Sequence, residues 1–190
     1  MPAPAPAAAG GASAEMPYRL ACLCDLRDGA GRVLLLHRLR APNKDLCSPI
    51  GGKLDVVAGE SPAQCAAREI MEEAGVEVPP ERLHLGGIIS ERAFEGRGHW
   101  LLFYYRVLGP IEVAERRIDE GELRWYGLDE LDGLALPRTD REIIWPMIRA
   151  HEHAGPGGKP GFFSVHIDCR EGGVVWEVEE GLDPFDGGGA

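Results

Sequence analysis

The sequence predicts an α/β fold, with a mixed sheet between helical layers and a β-hairpin added at the C-terminus. Three observations carry this expectation. Strand-like segments flank two capped helical segments, an arrangement that packs helices over a sheet. The 190 residues are a one-domain length, enough to bury most of the chain's surface. After a Gly/Pro-rich link at 155–161, two further alternating segments surround a Glu-Gly-Gly turn.

Taken in chain order, residues 1–16 are rich in Pro, Ala and Gly, without a basic start or a true apolar stretch, and read as a disordered tail rather than a signal peptide. Tyr18–Leu26 and Val33–His37 read as strands joined by the turn Asp28-Gly29-Ala30-Gly31. A helix is expected over Pro62–Ala74. Ser61 and Gln64 form a capping box, Pro62 suits the first helical position, and Gly75 closes the last turn in the left-handed conformation. Leu85–Glu91, Trp100–Val107 and Leu123–Tyr126 have strand composition. Thr139-Asp140-Arg141-Glu142 is a second capping box, opening a helix toward His151 that Pro146 should kink. Phe163–Asp168 and Val174–Glu179 form the hairpin: an added sheet edge, a dimer contact or a lid. The expected organisation is one domain over 17–183 with a flexible tail at 184–190.

The charge and cysteine content narrow the function. A formal net charge of −11 disfavours a long nucleic acid as partner, because duplex binding draws its affinity from neutralised phosphates. A small nucleotide arriving with its metal meets far less repulsion. The cysteines, Cys22, Cys24, Cys47, Cys65 and Cys169, are odd in number and scattered, which indicates reduced thiols rather than a disulfide framework. Cys22 and Cys24 fall on one strand face and read as packing. No apolar run is long enough to cross a bilayer. The expectation is a soluble cytoplasmic protein with no membrane partner, monomeric or a homodimer.

Residues 51–76 carry the chemistry. At about 100° per residue, Glu69, Glu72 and Glu73 share one sector of the helix, while Ala67, Ile70, Met71 and Ala74 gather opposite. Glutamates at this spacing repel one another by a few tenths of a kcal/mol per pair. A hard cation reverses that sign, and oxygen ligands suit Mg2+, with Mn2+ as an alternative. Zinc is disfavoured because no Cys or His stands at ligand spacing. A solvated acidic face is the plain alternative reading. Arg68 inside the acidic set, Glu60 at the turn and the preceding glycines are more than such a face requires.

This segment resembles the signature of Nudix hydrolases, G-x5-E-x7-R-E-U-x-E-E-x-G-U, where U is aliphatic. Glu60, the seven residues that follow, Arg68-Glu69-Ile70-Met71-Glu72-Glu73-Ala74-Gly75-Val76 match it throughout. Leu54 stands where the family has its first glycine, because Gly52-Lys53-Leu54-Asp55 is separated from Ala58-Gly59-Glu60 by two inserted residues. A turn absorbs such length at small entropic cost.

The resemblance implies a Nudix-like α/β/α sandwich and hydrolysis of a diphosphate linkage in a nucleoside diphosphate derivative, such as a modified nucleotide or nucleotide sugar. It implies Glu69, Glu72 and Glu73 as metal ligands, with the carbonyl of Gly52 adding another. Arg68 would orient Glu69, and Glu60 joins the catalytic constellation. Glu69 is the first choice of base, with Glu120 from the loop Asp119–Glu122 second. Arg38, Arg40, Lys44 and Lys53 are candidates for phosphate contacts. Phe94, Trp100 and Trp125 offer faces to a base or are simply core, Trp125 reading as packed, and His99 reads as structural. Two other classes stay open: a diphosphate isomerase on the same fold, for which Cys47 would be the thiol, and a non-catalytic nucleotide-binding module.

Overall fold

The computed structural model describes residues 17–40, 43–96, 98–170 and 173–185. The expected tail at 1–16, the hairpin turn at 171–172 and residues 186–190 lie outside the described residues. Strands β1 (Tyr18–Asp25), β2 (Val33–Arg38), β3 (Cys47–Pro49), β4 (Leu83–Phe94), β5 (Gly98–Val107), β6 (Arg116–Arg117), β7 (Gly121–Tyr126), β8 (Phe163–Asp168) and β9 (Val175–Glu180) combine with helices α1 (Pro62–Glu69) and α2 (Trp145–Ala150).

The strands divide between two sheets. One is mixed, in the order β1-β5-β4-β8-β9, with β1 parallel to β5 and β4 parallel to β8. The other is antiparallel, in the order β3-β2-β7-β6. The sheets meet along β1, where the Cys22 N–H donates to the Gly52 carbonyl (2.9 Å) and the Cys24 N–H to the Ile50 carbonyl (2.8 Å). This seam sets the glycine turn directly against the central strands.

Period-two alternation along β1 and β2 builds two cores. Cys22, Cys24, Leu34 and Leu36 pack with Cys65, Ala66 and Ile70 of the α1 side. Ala21, Val33 and Leu35 pack on the opposite side with Ile143, Ile144, Trp145 and Met147. The result is the expected α/β/α sandwich, and the Cys22/Cys24 face packs as expected.

Both helices contain a widened turn. Beyond α1, Ile70–Ala74 is π-helical and ends on Gly75 in the left-handed conformation (φ 72°). Before α2, Asp140–Ile144 is π-helical, and the Trp145 N–H reaches back to the Asp140 carbonyl. Pro146 has no N–H and its ring crowds the carbonyl four residues earlier, which suits the widened turn just ahead of it. The expected second capping box does not form. Helical turns start already at Arg138, so Thr139 lies inside the helix, its side chain buried and making no capping bond.

The C-terminal hairpin resolves as an added sheet edge, because β8 pairs with β4 and β9 with β8. The Phe163 ring packs against Gly87, where a Cβ would stand 2.7 Å from it. His151 holds the end of the hairpin, its ring Nε2 accepting the Leu182 N–H at 2.7 Å. Among the described residues no helix is long and apolar enough to cross a membrane.

Candidate active site

The inserted residues fold into a closed turn ahead of α1. The Asp55 carboxylate accepts the N–H groups of Val57 (3.1 Å) and Ala58 (2.9 Å), and the Glu60 N–H donates to the Asp55 carbonyl (3.0 Å). Gly59 supplies the left-handed residue (φ 71°), and the insertion leaves Val57 at the exposed tip. Ser61 and Gln64 then cap α1 reciprocally, as expected.

Arg68 is the hub. Its guanidinium donates from Nε and Nη2 to both oxygens of Glu60 (2.8 and 3.0 Å) and from Nη1 to Glu69 (2.7 Å) and Glu72 (3.1 Å). Nη2 also donates to the Lys53 carbonyl at 3.1 Å. The fork geometry allows one side chain to hold three carboxylates and a loop. Glu60, expected within the catalytic set, has both carboxylate oxygens bonded to Arg68. Its second oxygen also accepts the Asp55 N–H at 2.8 Å, and its bond to Arg68 holds its carboxyl below the ordinary range.

The three helix glutamates occupy different environments. Glu69 and Glu73 are buried, and the Glu72 side chain is 58% exposed. The π-helical turn accounts for this spread, because widening the turn swings Glu73 inward to the Gly51 N–H (3.1 Å). It also leaves Met71 exposed, against the expectation that it packs. Among the described residues no three Asp, Glu, His or Cys side chains stand ready as a metal cage. The carboxylates converge on Arg68 and the glycine turn rather than on a common point.

The donor set nonetheless fits a hard dication. Burial, with Glu72 and Glu120 nearby, raises the Glu69 carboxyl. Burial, with Glu120 and Glu69 adding to it, pushes Glu73 up to about 7. Glu60, Glu69, Glu72, Glu73 and Glu120 gather around the guanidinium groups of Arg68 and Arg38, a local excess of negative charge that a cation would relieve.

Gly52 contributes by shape. A Cβ there would stand 2.3 Å from Glu69 Oε1, so only glycine lets the carboxylate lie against the turn. Its carbonyl, the expected extra ligand, is already engaged by the Cys22 N–H (2.9 Å) and the Cys65 thiol (3.5 Å). The substitution Gly52→Ala should lower kcat by on the order of 100-fold, because a displacement of about 1 Å at a reacting group costs that much. Steady-state kinetics beside thermal unfolding will check this, with a Tm close to that of the parent.

The remaining expected residues scatter around this centre. Glu120 comes within electrostatic reach of Glu69 and Glu73 and pairs with Arg38 at 3.1 Å. The exposed Lys53 side chain sets its Nζ 6.0 Å from the Trp100 ring, whose other cation is Arg19 at 5.3 Å. Arg40 and Lys44 are exposed near the end of β2. Trp125 packs and donates to the Val113 carbonyl (2.8 Å), and His99 accepts the Ala93 N–H (3.0 Å), both structural as expected. Cys47 is buried in the α2-side core, and burial raises its thiol pKa, so it is poorly placed as a proton carrier. Arg116 was missed by sequence reading. It donates to the Glu73 carbonyl (2.9 Å) at the C-terminal end of the helix, where a cation is favoured, and the basic pair Arg116-Arg117 was its only signal.

A family model described as the NUDIX domain matches residues 17–150. Among solved structures, a MutT protein from Bacillus halodurans is 24% identical with a TM-score of 0.61, covering 86% of this chain and 99% of its own. A MutT NUDIX hydrolase from Burkholderia pseudomallei is 29% identical with a TM-score of 0.54, covering 66% and 94%. The NUDIX domain of Shewanella oneidensis NrtR, crystallised with ADP ribose, is 20% identical with a TM-score of 0.60, covering 73% and 91%.

Proposed function

Because this chain belongs to the NUDIX family, we propose that it is a Mg2+-dependent hydrolase, Mn2+ serving as well, that cleaves a diphosphate linkage in a small nucleoside diphosphate derivative. The observation that carries this reading is the Arg68-centred cluster, which presses Glu69 against Gly52 and leaves its negative charge in excess. The NrtR domain's ADP ribose is a ligand of that class, and it supports the choice of substrate class here.

Glu69, Glu72 and Glu73 would hold the cation. Bound there, it supplies neutralisation of the phosphoryl oxygens and a lowered pKa for an attacking water. Glu69 is suited to take that water's proton, because burial already raises its proton affinity. Glu120 is the second candidate for the proton. Arg68 is a positioning residue that fixes Glu69 in one rotamer. Arg38 and Lys53 supply positive charge for the phosphates, and Arg40 extends that charge outward.

Purified protein with Mg2+ should hydrolyse at least one class among nucleoside triphosphates, dinucleoside polyphosphates, nucleotide sugars and dinucleotide cofactors, and EDTA should abolish turnover. Hydrolysis undiminished by EDTA, or no hydrolysis of any of them with either cation, would overturn this reading.

A further inference from the structure

Cys65 holds one of the seven positions between Glu60 and Arg68 that the Nudix signature leaves open. It lies on the buried face of α1, in the core that Cys22, Cys24 and Ile70 share. A residue that only fills a core needs no polar partner. This thiol has two, and both belong to the carboxylate site. Its S–H donates to the Gly52 carbonyl at 3.5 Å, and its sulfur accepts from Arg68 Nη2 at 3.6 Å. The Glu60 carboxylate stands within reach of the same thiol.

Helix geometry and the seam along β1 put the sulfur in this place. Residues three apart on a helix are neighbours on its surface, so Cys65 lies alongside Arg68. Across from it, Gly52 is pinned to β1 by the Cys22 N–H (2.9 Å), which holds its carbonyl against α1. The Cys22 thiol adds a contact from β1, donating to the Pro62 carbonyl in the first turn of α1 at 3.7 Å. Cys24, on the same face of β1, donates instead to the Ala66 carbonyl at 3.9 Å. The hydrogen-bonded Cys22 thiol, then burial and the nearby carboxylates, push the Cys65 thiol far above the usual range, so its S–H persists as a donor at neutral pH.

We propose that Cys65 is a positioning residue, whose thiol ties the glycine turn to the Arg68 hub and so fixes how Glu69 is held against Gly52. It acts through its two partners. Arg68 Nη1 holds Glu69 at 2.7 Å, while Nη2, which meets the sulfur, also holds the Lys53 carbonyl (3.1 Å) and one Glu60 oxygen (3.0 Å). Without the thiol, Nη2 is left with those two oxygens and the Gly52 carbonyl with the Cys22 N–H, so turn and hub are no longer joined through a shared atom. What the fixed geometry serves rests on the proposed hydrolase reading, but the thiol bridge is observable without turnover.

The test compares Cys65→Ala, which removes the bridge, with Cys65→Ser, which keeps a donor and an acceptor in nearly the same place. On the best substrate among the four classes above, Cys65→Ala should lower kcat about fivefold, the worth of one net hydrogen bond, with KM unchanged within about twofold. Cys65→Ser should bring kcat back to within about twofold of the parent. If the cysteine only fills the core, that order reverses, because a buried hydroxyl is costlier than a methyl group. Cys24→Ala takes the same volume from the same core and should leave kcat within about twofold. Independently of activity, the infrared S–H band isolated as parent minus Cys65→Ala should lie below that of a free thiol in an apolar solvent. A parental kcat in Cys65→Ala, a Cys65→Ser no better than Cys65→Ala, or a band at the free-thiol frequency would overturn the proposal. A parent chain that hydrolyses none of the four classes would sink the hydrolase reading alone, and the band would then decide the bridge.

Discussion

Glu69→Gln should lower kcat by about 10³-fold while leaving the fold intact. The amide keeps the shape of the carboxylate against Gly52, so the turn and α1 should stay in place. It removes the charge that a cation would meet and the oxygen suited to take a proton. It also leaves Arg68 with Glu60 and Glu72 as partners, so the hub persists. Glu120→Gln is the informative comparison. If Glu69 is the base, Glu120→Gln should cost about tenfold or less, through lost pairing with Arg38. If Glu120→Gln costs as much as Glu69→Gln, the proton goes to the loop carboxylate instead.

The second large effect is on stability against pH. In metal-free buffer the protein should be most stable near pH 5 and lose stability, by several kcal/mol, as the pH rises to 8. The groups responsible on the alkaline side are Glu73 and Glu91, each pushed from 4.5 to about 7, and Asp140, pushed from 3.8 to about 8, all chiefly by burial. Between their unfolded and folded values the native state binds more protons than the unfolded chain, so stability falls with rising pH. On the acid side the sign is opposite. Asp25 is held below its ordinary value by Arg27, Arg106 and Tyr104, which outweigh its burial, so its contribution is lost as pH drops. Glu91→Gln with Asp140→Asn should flatten the alkaline limb, and added Mg2+ should lift it through Glu73. Urea unfolding at fixed pH values measures each limb; an alkaline limb that is flat in the parent chain would contradict the burial argument.

Much of the site was legible in sequence because it is local. The capping box Ser61/Gln64, the left-handed Gly75 and the Arg68–Glu69 and Arg68–Glu72 contacts all follow from spacing within one helix. The α/β/α layers were legible too, since β1 and β2 alternate between two cores. What spacing does not encode was missed. An ideal helical wheel assumes a fixed rotation per residue, and the π-helical turn at Ile70–Ala74 breaks that assumption, burying Glu73 and exposing Met71. Thr139 reads as a cap by local pattern, but the helix starts ahead of it and its hydroxyl meets Glu91, far away in sequence. The engagement of the Gly52 carbonyl by β1 is likewise a tertiary pairing.

Glu69, Glu72 and Glu73 should together bind a divalent cation. Titration of the parent chain with Mn2+, followed by calorimetry and by the loss of free-ion paramagnetic signal, tests it directly. Uptake should be saturable and should disappear in the joint Glu69→Gln, Glu73→Gln variant while that variant keeps its cooperative unfolding. Absence of uptake by the parent chain, or equal uptake by the folded variant, would contradict it.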